Sequence, residues 1–126
     1  MIIDTDVIIW YLRGNKNALK TIESHIPFKI SVITYLELIQ GMQDKKELRI
    51  LQKYLREWST EIIHITENIS SRAMFFMEDY FLSHAMESAD AIIAATTIEY
   101  QEVLLTANDK HYNYLPNIQI NKFRSK

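Results

Sequence analysis

The sequence predicts an α/β fold in which a mainly parallel sheet of four to five strands lies between two layers of helices. Short apolar runs of the kind that form strands alternate along the chain with longer segments of helical periodicity. Only two glycines and two prolines occur in 126 residues, which favours abundant helix and few tight turns. No linker or internal repeat is visible, so residues 1–126 are predicted to form a single domain.

The first half of the chain predicts two strands and four helices. Residues 1–3 are apolar without interruption, which is typical of a strand buried on both faces of a parallel sheet. Asp4 falls at the carboxyl end of that strand, where open α/β sheets place their ligands. Thr5 or Asp6 can cap the helix that follows. The later elements are helices 7–12 and 17–25, strand 28–31, helix 35–40 with a cap at Ser31 or Thr34, and the amphipathic helix 44–58.

The second half predicts two or three more strands and the most buried helix. Residues 66–84 have the length of a long helix, and residues 88–100 contain an apolar segment, 91–95, that suggests full burial. The other predicted elements are strand 61–65, strand 103–105, a polar loop over 106–112, an edge strand at 118–120 and a basic tail over 121–126.

The composition limits the kinds of site and compartment that the chain can use. It has no cysteine, which excludes disulfides and thiolate metal sites and agrees with a reducing cytoplasm. No apolar run approaches the roughly 18 residues of a membrane span, and no signal peptide is visible. The net charge of −2 gives no global signal for nucleic acid. We therefore expect a cytoplasmic protein without a membrane partner.

Four acids are predicted to meet at one edge of the sheet. Asp4 ends the first strand, Glu37 lies on the helix after the second, Asp90 opens the buried helix, and Asp109 follows the strand 103–105. Parallel strands point their carboxyl ends to the same edge, and acids gathered there repel one another unless a hard cation offsets their charge. Their oxygen ligands favour Mg²⁺ or Mn²⁺. Each acid alone also has a plainer interpretation, as a helix cap, a solvent-facing residue or a turn residue.

Four motifs occur in an order that resembles a known family. They are Ile-Ile-Asp-Thr-Asp at residues 2–6, Ser-Val-Ile-Thr-Tyr-Leu-Glu-Leu at 31–38, Asp-Ala-Ile-Ile-Ala-Ala-Thr at 90–96 and Leu-Leu-Thr-Ala-Asn-Asp-Lys-His-Tyr at 104–112. Together they resemble the PIN-domain ribonucleases, most closely the VapC-type toxins of type II toxin–antitoxin systems. The resemblance spans the chain and implies a PIN-like three-layer α/β/α fold. It also implies that Asp4, Glu37 and Asp90 are metal ligands and catalytic residues.

The last motif departs from the family's pattern. That pattern often has asparagine or aspartate two residues after a threonine, and later an aspartate before an aromatic residue. Here the two positions hold Asn108 and His111, and the acid Asp109 falls between them. We therefore expect Asn108 or Asp109 to supply the fourth ligand, with Asp109 as the further catalytic acid. By the same resemblance Thr5, Asp6 and Thr106 support the ligands.

The resemblance implies the reaction and the partners. The expected activity is hydrolysis of RNA phosphodiester bonds by a Mg²⁺- or Mn²⁺-dependent endoribonuclease, and the expected partners are a cognate antitoxin and a second copy of the chain. Arg13, Lys16 and Lys110 are candidates for gripping the RNA backbone. The basic residues along one side of helix 44–58 are a further candidate for binding RNA, but an ordinary solvated helix face explains them at least as well. The apolar side chains at residues 74–77, 80 and 81 exceed what one helical face can bury, so about half of them are expected to meet a partner.

Two other functions agree with parts of this pattern. Aspartyl-phosphate phosphotransferases also carry an N-terminal Asp-x-Asp, but Lys110 beside Asp109 is a poor match to their later lysine motif, and Glu37 would have no role. A non-catalytic PIN-like module that binds RNA or protein is the main alternative, because no acid occupies position 111.

Overall fold

The computed structural model describes residues 1–126 as one five-stranded sheet with six helices packed around it. The strands are Ile2–Ile3 (β1), Lys29–Ser31 (β2), Glu61–Ile63 (β3), Leu104–Thr106 (β4) and Ile120–Lys122 (β5). The helices are Thr5–Leu12 (α1), Lys16–Ser24 (α2), Val32–Gln40 (α3), Lys45–Glu57 (α4), Glu67–His84 (α5) and Ser88–Glu99 (α6). A single 3₁₀ turn, Asp109–His111, follows β4.

All strand pairs are parallel, and the strand order is β3-β2-β1-β4-β5. In the centre, Ile2 pairs with Leu104 and Ile3 with Leu105. The order of the strands reverses between β1 and β4, and such a switch point leaves a crevice at the carboxyl ends of the two strands. The residues that follow β1 and end β4 are Asp4 and Thr106, so the crevice opens directly onto the first predicted acid.

The sheet separates two apolar cores. Ile3 faces one core with Val7, Leu51 and Trp58, whereas Ile2 faces the other with Ile69. Neighbouring residues of a strand point to opposite faces, and both isoleucines are fully buried. The prediction of a strand buried on both faces within a three-layer α/β/α fold is therefore confirmed. No helix of the chain combines the length and the apolar character that crossing a bilayer requires.

Several details differ from the sequence prediction. α1 and α3 begin at Thr5 and Val32 rather than at residues 7 and 35, and β3 ends at Ile63 rather than at residue 65. Asp4 itself caps α1 by accepting a hydrogen bond from the Thr5 amide, so the predicted cap at Thr5 or Asp6 was wrong. Thr106 belongs to β4 rather than to the loop, and the last strand is Ile120–Lys122 rather than 118–120. The last strand takes its position from pairing with β4, since Thr106 lies opposite Lys122. A strand's own residues do not encode such a register.

Candidate active site

Asp4 is the residue around which the site is built. It follows β1 and is only 6% exposed. Its Oδ1 accepts the Thr5 amide at 2.8 Å, and its Oδ2 accepts the Thr106 hydroxyl at 2.8 Å. Burial raises the pKa of Asp4 above its ordinary value, although these hydrogen bonds oppose the rise. A carboxylate held this way costs stability unless positive charge compensates it.

The hydroxyl of Tyr112 joins Asp4 to Asp90. It lies 3.1 Å from Asp4 Oδ2 and 3.1 Å from Asp90 Oδ1, and the Tyr112 side chain is fully buried. A phenol has one proton, so it can donate to only one of the two carboxylates at a time. Burial raises the pKa of Asp90 to about 6, with a further contribution from the charge of Asp4. Burial also raises the pKa of Tyr112, so Tyr112 remains a neutral donor.

Asp6 brings a third carboxyl group to the crevice from the first turn of α1. Its Oδ2 accepts the Ala107 amide at 3.0 Å, whereas its Oδ1 is buried without a hydrogen-bond partner. Burial, and next the charge of Asp4, raise the pKa of Asp6 to about 7. An unpartnered buried oxygen in a native fold calls for an explanation, and an unplaced cation is one of the recognised ones.

Glu37 reaches the same region from α3. The Thr5 hydroxyl donates to Glu37 Oε1 at 2.7 Å and lies 3.0 Å from the Thr34 hydroxyl. Because Thr5 is the residue whose amide binds Asp4, one residue links the two carboxylates. The predicted supporting residues Thr5 and Thr106 therefore each bind a predicted acid.

The loop after β4 places its side chains differently from the prediction. His111 Nδ1 lies 3.3 Å from Asp90 Oδ2, at the position where the family pattern has an acid. Asp109 instead pairs with Lys122 at 3.4 Å and makes no hydrogen bond to the other acids. The Asn108 side chain makes no hydrogen bond. The backbone N–H of Asn108 donates to the Thr106 hydroxyl at 3.0 Å. The structure thus links Asp4 to Asp90 through Tyr112 and to Glu37 through Thr5. Asp6 lies close enough to Asp4 to feel its charge, and Asp109 is paired with Lys122 instead.

The donor set suits a hard divalent cation. No three His, Cys, Asp or Glu side chains converge closely enough in this arrangement to hold an ion together. Hydrogen bonds of Tyr112 and Thr5 link the acids in pairs instead. The chemistry nevertheless fits: the donors are carboxylate oxygens, none of the three aspartates pairs with Lys or Arg, and Asp6 Oδ1 is orphaned. The residues available to hold a cation are Asp4, Asp6, Asp90 and Glu37.

The predicted RNA-binding cations form no ion pairs within the chain. Arg13 ends α1 and lines a groove that also contains Glu37. Lys16 begins α2, and Lys110 lies in the 3₁₀ turn beside Asp109. All three side chains are exposed. The basic stripe on α4 is exposed as well, and its Lys53 lies 3.9 Å from Glu57, as on an ordinary solvated helix.

Comparison with known proteins agrees with this geometry. A model of the PIN domain matches residues 1–116. The chain belongs to the PIN-domain family. Ribonuclease VapC19 of Mycobacterium tuberculosis is 28% identical to this PIN domain, over 94% of the chain and 96% of the relative. A toxin–antitoxin complex from Klebsiella pneumoniae contains a chain that is 25% identical, with a TM-score of 0.82 over 98% of this chain and 97% of that one. DNA-bound VapBC from Salmonella typhimurium shares the fold, with a TM-score of 0.83 at 17% identity over 98% and 97% of the two chains.

Sequence reasoning missed Tyr112 as a functional residue of this PIN domain. The signal was present, because Tyr112 is the aromatic residue that ends the fourth motif. Nothing in the sequence, however, shows that a 3₁₀ turn carries its hydroxyl back to β1. Tyr112 fixes the orientation of Asp4 and Asp90, and it is the one side chain that binds both.

Removing the Tyr112 hydroxyl should destabilise the fold. Tyr112→Phe removes the one hydroxyl proton that Asp4 and Asp90 share, and we expect the free energy of unfolding to fall by about 1–3 kcal/mol. Tyr114→Phe is the matched control, because the Tyr114 hydroxyl makes no hydrogen bond within the chain and its loss should change stability by less than about 0.5 kcal/mol. Urea unfolding followed by circular dichroism measures both. Equal stabilities of the two variants would contradict the bridging role.

Proposed function

We propose that this PIN domain is a VapC-type toxin, an endoribonuclease that requires Mg²⁺ or Mn²⁺ and is inhibited by a cognate antitoxin protein. The observation that carries the proposal is the set Asp4, Asp6 and Asp90. The carboxylate of Asp4 is buried at the switch point of the sheet and interacts with the half-buried carboxylates of Asp6 and Asp90, and no Lys or Arg neutralises any of the three. Family membership and the ribonuclease activity named for the Mycobacterium tuberculosis relative support the same reading.

The residues of the site divide into those that hold a cation and those that orient the holders. Asp4, Asp90 and Glu37 hold it, and Asp6 lends its free Oδ1 as a supporting ligand. When bound, a divalent cation activates water for attack on the phosphodiester and offsets negative charge on the phosphate. Thr5, Thr106 and Tyr112 keep the carboxylates in place through hydrogen bonds. A site whose ligands are already fixed loses little energy to reorganisation during the reaction.

An antitoxin segment binds in the groove beside Glu37. This groove has a volume of about 550 Å³ and runs between α1, α3 and the start of α4. Five of its ten lining residues are apolar, and the carboxylates of Glu37 and Glu47 lie along it together with the guanidinium of Arg13. A peptide with an apolar face and a basic side chain complements this surface. If the charged group of that basic side chain binds near Glu37, it blocks the nearby carboxylates. The apolar side chains that line the groove are Ile9, Leu12, Leu38, Met42 and Ile50.

A second copy of the chain covers the apolar face of α5. Four large side chains of this helix point to solvent, and Leu82 is 92% exposed. Phe76 is buried while Met77 and Tyr80 are half-buried, so about half of the predicted apolar set packs within the chain. Exposed apolar clusters of this kind mark protein interfaces, and light scattering of the purified chain measures the dimer. The exposed side chains are Met74, Phe75, Phe81 and Leu82.

The test of the proposed function is cleavage of RNA by the purified chain. We expect cleavage with Mg²⁺ or Mn²⁺, complete loss after the cation is removed by a chelator, recovery when either cation is returned, and inhibition by the antitoxin. Cleavage that persists in excess chelator would contradict the metal site. If the chain binds RNA but never cleaves it with either cation, the protein is a non-catalytic PIN-like module instead.

A further inference from the structure

A second polar pocket lies beside the carboxylate crevice, at the β5 edge of the sheet. Its volume is about 340 Å³, and its walls are α2, the end of β4 and the chain from β5 onward. Three cationic side chains line it, Lys20 from one wall and Lys122 and Arg124 from the other. The neutral polar residues Asn17, Thr21 and Asn121 add further hydrogen-bonding groups.

The pocket is formed by a chain segment that is held firmly in place. Phe123 is 4% exposed, and its amide donates to the Thr106 carbonyl at 2.7 Å. The side-chain amides of Asn15 and Asn17 donate to the carbonyls of Ser125 and Arg124, at 3.0 and 3.3 Å. The backbone of Arg124 is therefore fixed against α2, and the pocket exists before any ligand binds.

The charge of the pocket is clearly positive although the chain as a whole is negative. Its only paired cation is Lys122, which lies 3.4 Å from Asp109, while Lys20 and Arg124 form no ion pair. Three cations facing one carboxylate leave the pocket with an excess of positive charge in a chain of net charge −2. A guanidinium fork and an ammonium group beside neutral donors are the groups that bind phosphate.

The pocket opens two strands away from Asp4, on the far side of β4. Lys122 lies opposite Thr106 in the pairing of β4 with β5, and the Thr106 hydroxyl donates to Asp4. Neighbouring strands are about 4.8 Å apart, so β5 lies roughly 10 Å from β1, and a polymer of phosphates that leaves Asp4 across β4 reaches this pocket. A phosphate bound here would lie on the same edge of the sheet as the bond that is cut.

We propose that Lys20, Lys122 and Arg124 hold a backbone phosphate of the RNA next to the cleavage site. The proposal rests on the proposed function, since it assumes that RNA reaches the carboxylates. A phosphate contact positions the strand and raises affinity without reading the bases. The pocket therefore sets the direction in which RNA leaves the crevice, and base recognition lies elsewhere.

The test measures binding of labelled single-stranded RNA of mixed sequence, in chelator so that cleavage does not occur. In the double variant Lys20→Gln/Arg124→Gln we expect affinity to fall by roughly tenfold at low salt, equally for RNAs of different sequence. The slope of log affinity against log salt should shrink by about 0.7, as for one lost phosphate contact on a single strand. Both replaced side chains are exposed, so circular dichroism should show an unchanged fold.

The matched control is Lys53→Gln/Arg56→Gln. These two cations lie in the last turns of α4, which leads to the start of β3 and hence to the opposite edge of the sheet. We expect this control variant to bind RNA with the affinity and the salt dependence of the wild type. If this control loses as much affinity as the Lys20/Arg124 variant, or if neither variant changes the salt slope, the pocket does not hold an RNA phosphate.

Two further outcomes separate this proposal from neighbouring ones. Competition by inorganic phosphate as strong as that by RNA would indicate a free-phosphate site and would overturn the assignment to RNA. If wild-type protein cleaves RNA but the salt slope is unchanged in the double variant, the proposal that the pocket binds RNA is wrong and the proposed nuclease function is retained. If the slope shrinks as expected but no cleavage occurs with Mg²⁺ or Mn²⁺, the nuclease fails and the RNA contact stands.

Discussion

Asp90→Asn should reduce RNA cleavage by at least about a hundredfold while leaving the protein folded, because it removes a charged ligand without changing the size of the side chain. Burial raises the pKa of Asp90 to about 6, so ionisation of Asp90 at neutral pH costs the folded state stability. The asparagine carries no charge. We therefore expect its free energy of unfolding, measured in chelator, to equal or exceed that of the wild type. Single-turnover cleavage and urea unfolding measure the two effects.

Asp109→Asn is the control for this experiment. Its carboxylate faces Lys122 rather than the other acids, so cleavage should fall far less than in Asp90→Asn. Asp4→Asn should also abolish cleavage, but its amide nitrogen would meet the hydroxyl protons of Thr106 or Tyr112 and stability would drop as well. A loss of cleavage in Asp109→Asn equal to that in Asp90→Asn would instead make Asp109 the fourth ligand, as its place in the sequence suggests.

Trp58→Ala should cause the largest loss of stability that a single side chain of this protein can produce, about 3–5 kcal/mol. Trp58 is 3% exposed, and its ring packs edge-on against Tyr11 with centroids 4.9 Å apart. It also contacts the rings of Phe28 and Tyr54, at 5.5 and 5.4 Å. The indole thus joins α1, which begins directly after Asp4, to α4 and to the start of β2. Small domains are stable by only about 5–15 kcal/mol, so this variant should be partly unfolded in mild urea.

Trp10→Ala provides the comparison, since it removes the chain's other tryptophan from a half-buried position on the same helix α1. We expect this variant to lose about 1 kcal/mol. Circular dichroism in urea gives both free energies. If Trp58→Ala costs no more than Trp10→Ala, the aromatic cluster is not what anchors α1.

The fold could be predicted from the sequence because its main signals are local. The uninterrupted apolar run before Asp4 marks a strand buried on both faces, and the helical spacing of Leu51, Leu55 and Trp58 marks the buried side of α4. The position of β5 could not be predicted in the same way. Residues 118–120 alternate between apolar and polar side chains, whereas residues 120–122 do not, and only pairing with β4 selects Ile120–Lys122.

For the candidate site, the sequence predicts that the acids lie at the same edge of the sheet. Asp4, Glu37 and Asp90 follow predicted strands or open a predicted helix, and parallel strands bring such positions together. The links between them were not predictable, because they depend on hydroxyl groups that any surface could carry. Tyr112 joins two acids only because the turn at Asp109–His111 reverses the chain after β4. The same turn places His111 beside Asp90, where an acid was expected, and directs Asp109 towards Lys122.

The central strand pairing has a consequence for when the protein becomes active during its synthesis. β1 is the first strand made, yet it pairs with β4, whose residues are made about a hundred positions later. Long-range parallel pairing forms slowly, and β1 cannot pair with β4 before β4 has emerged from the ribosome. Asp4 therefore lacks Thr106 and Tyr112 throughout most of translation. We therefore expect a nascent chain to be unable to cut RNA until β4 and the turn after it have emerged from the ribosome and packed against β1.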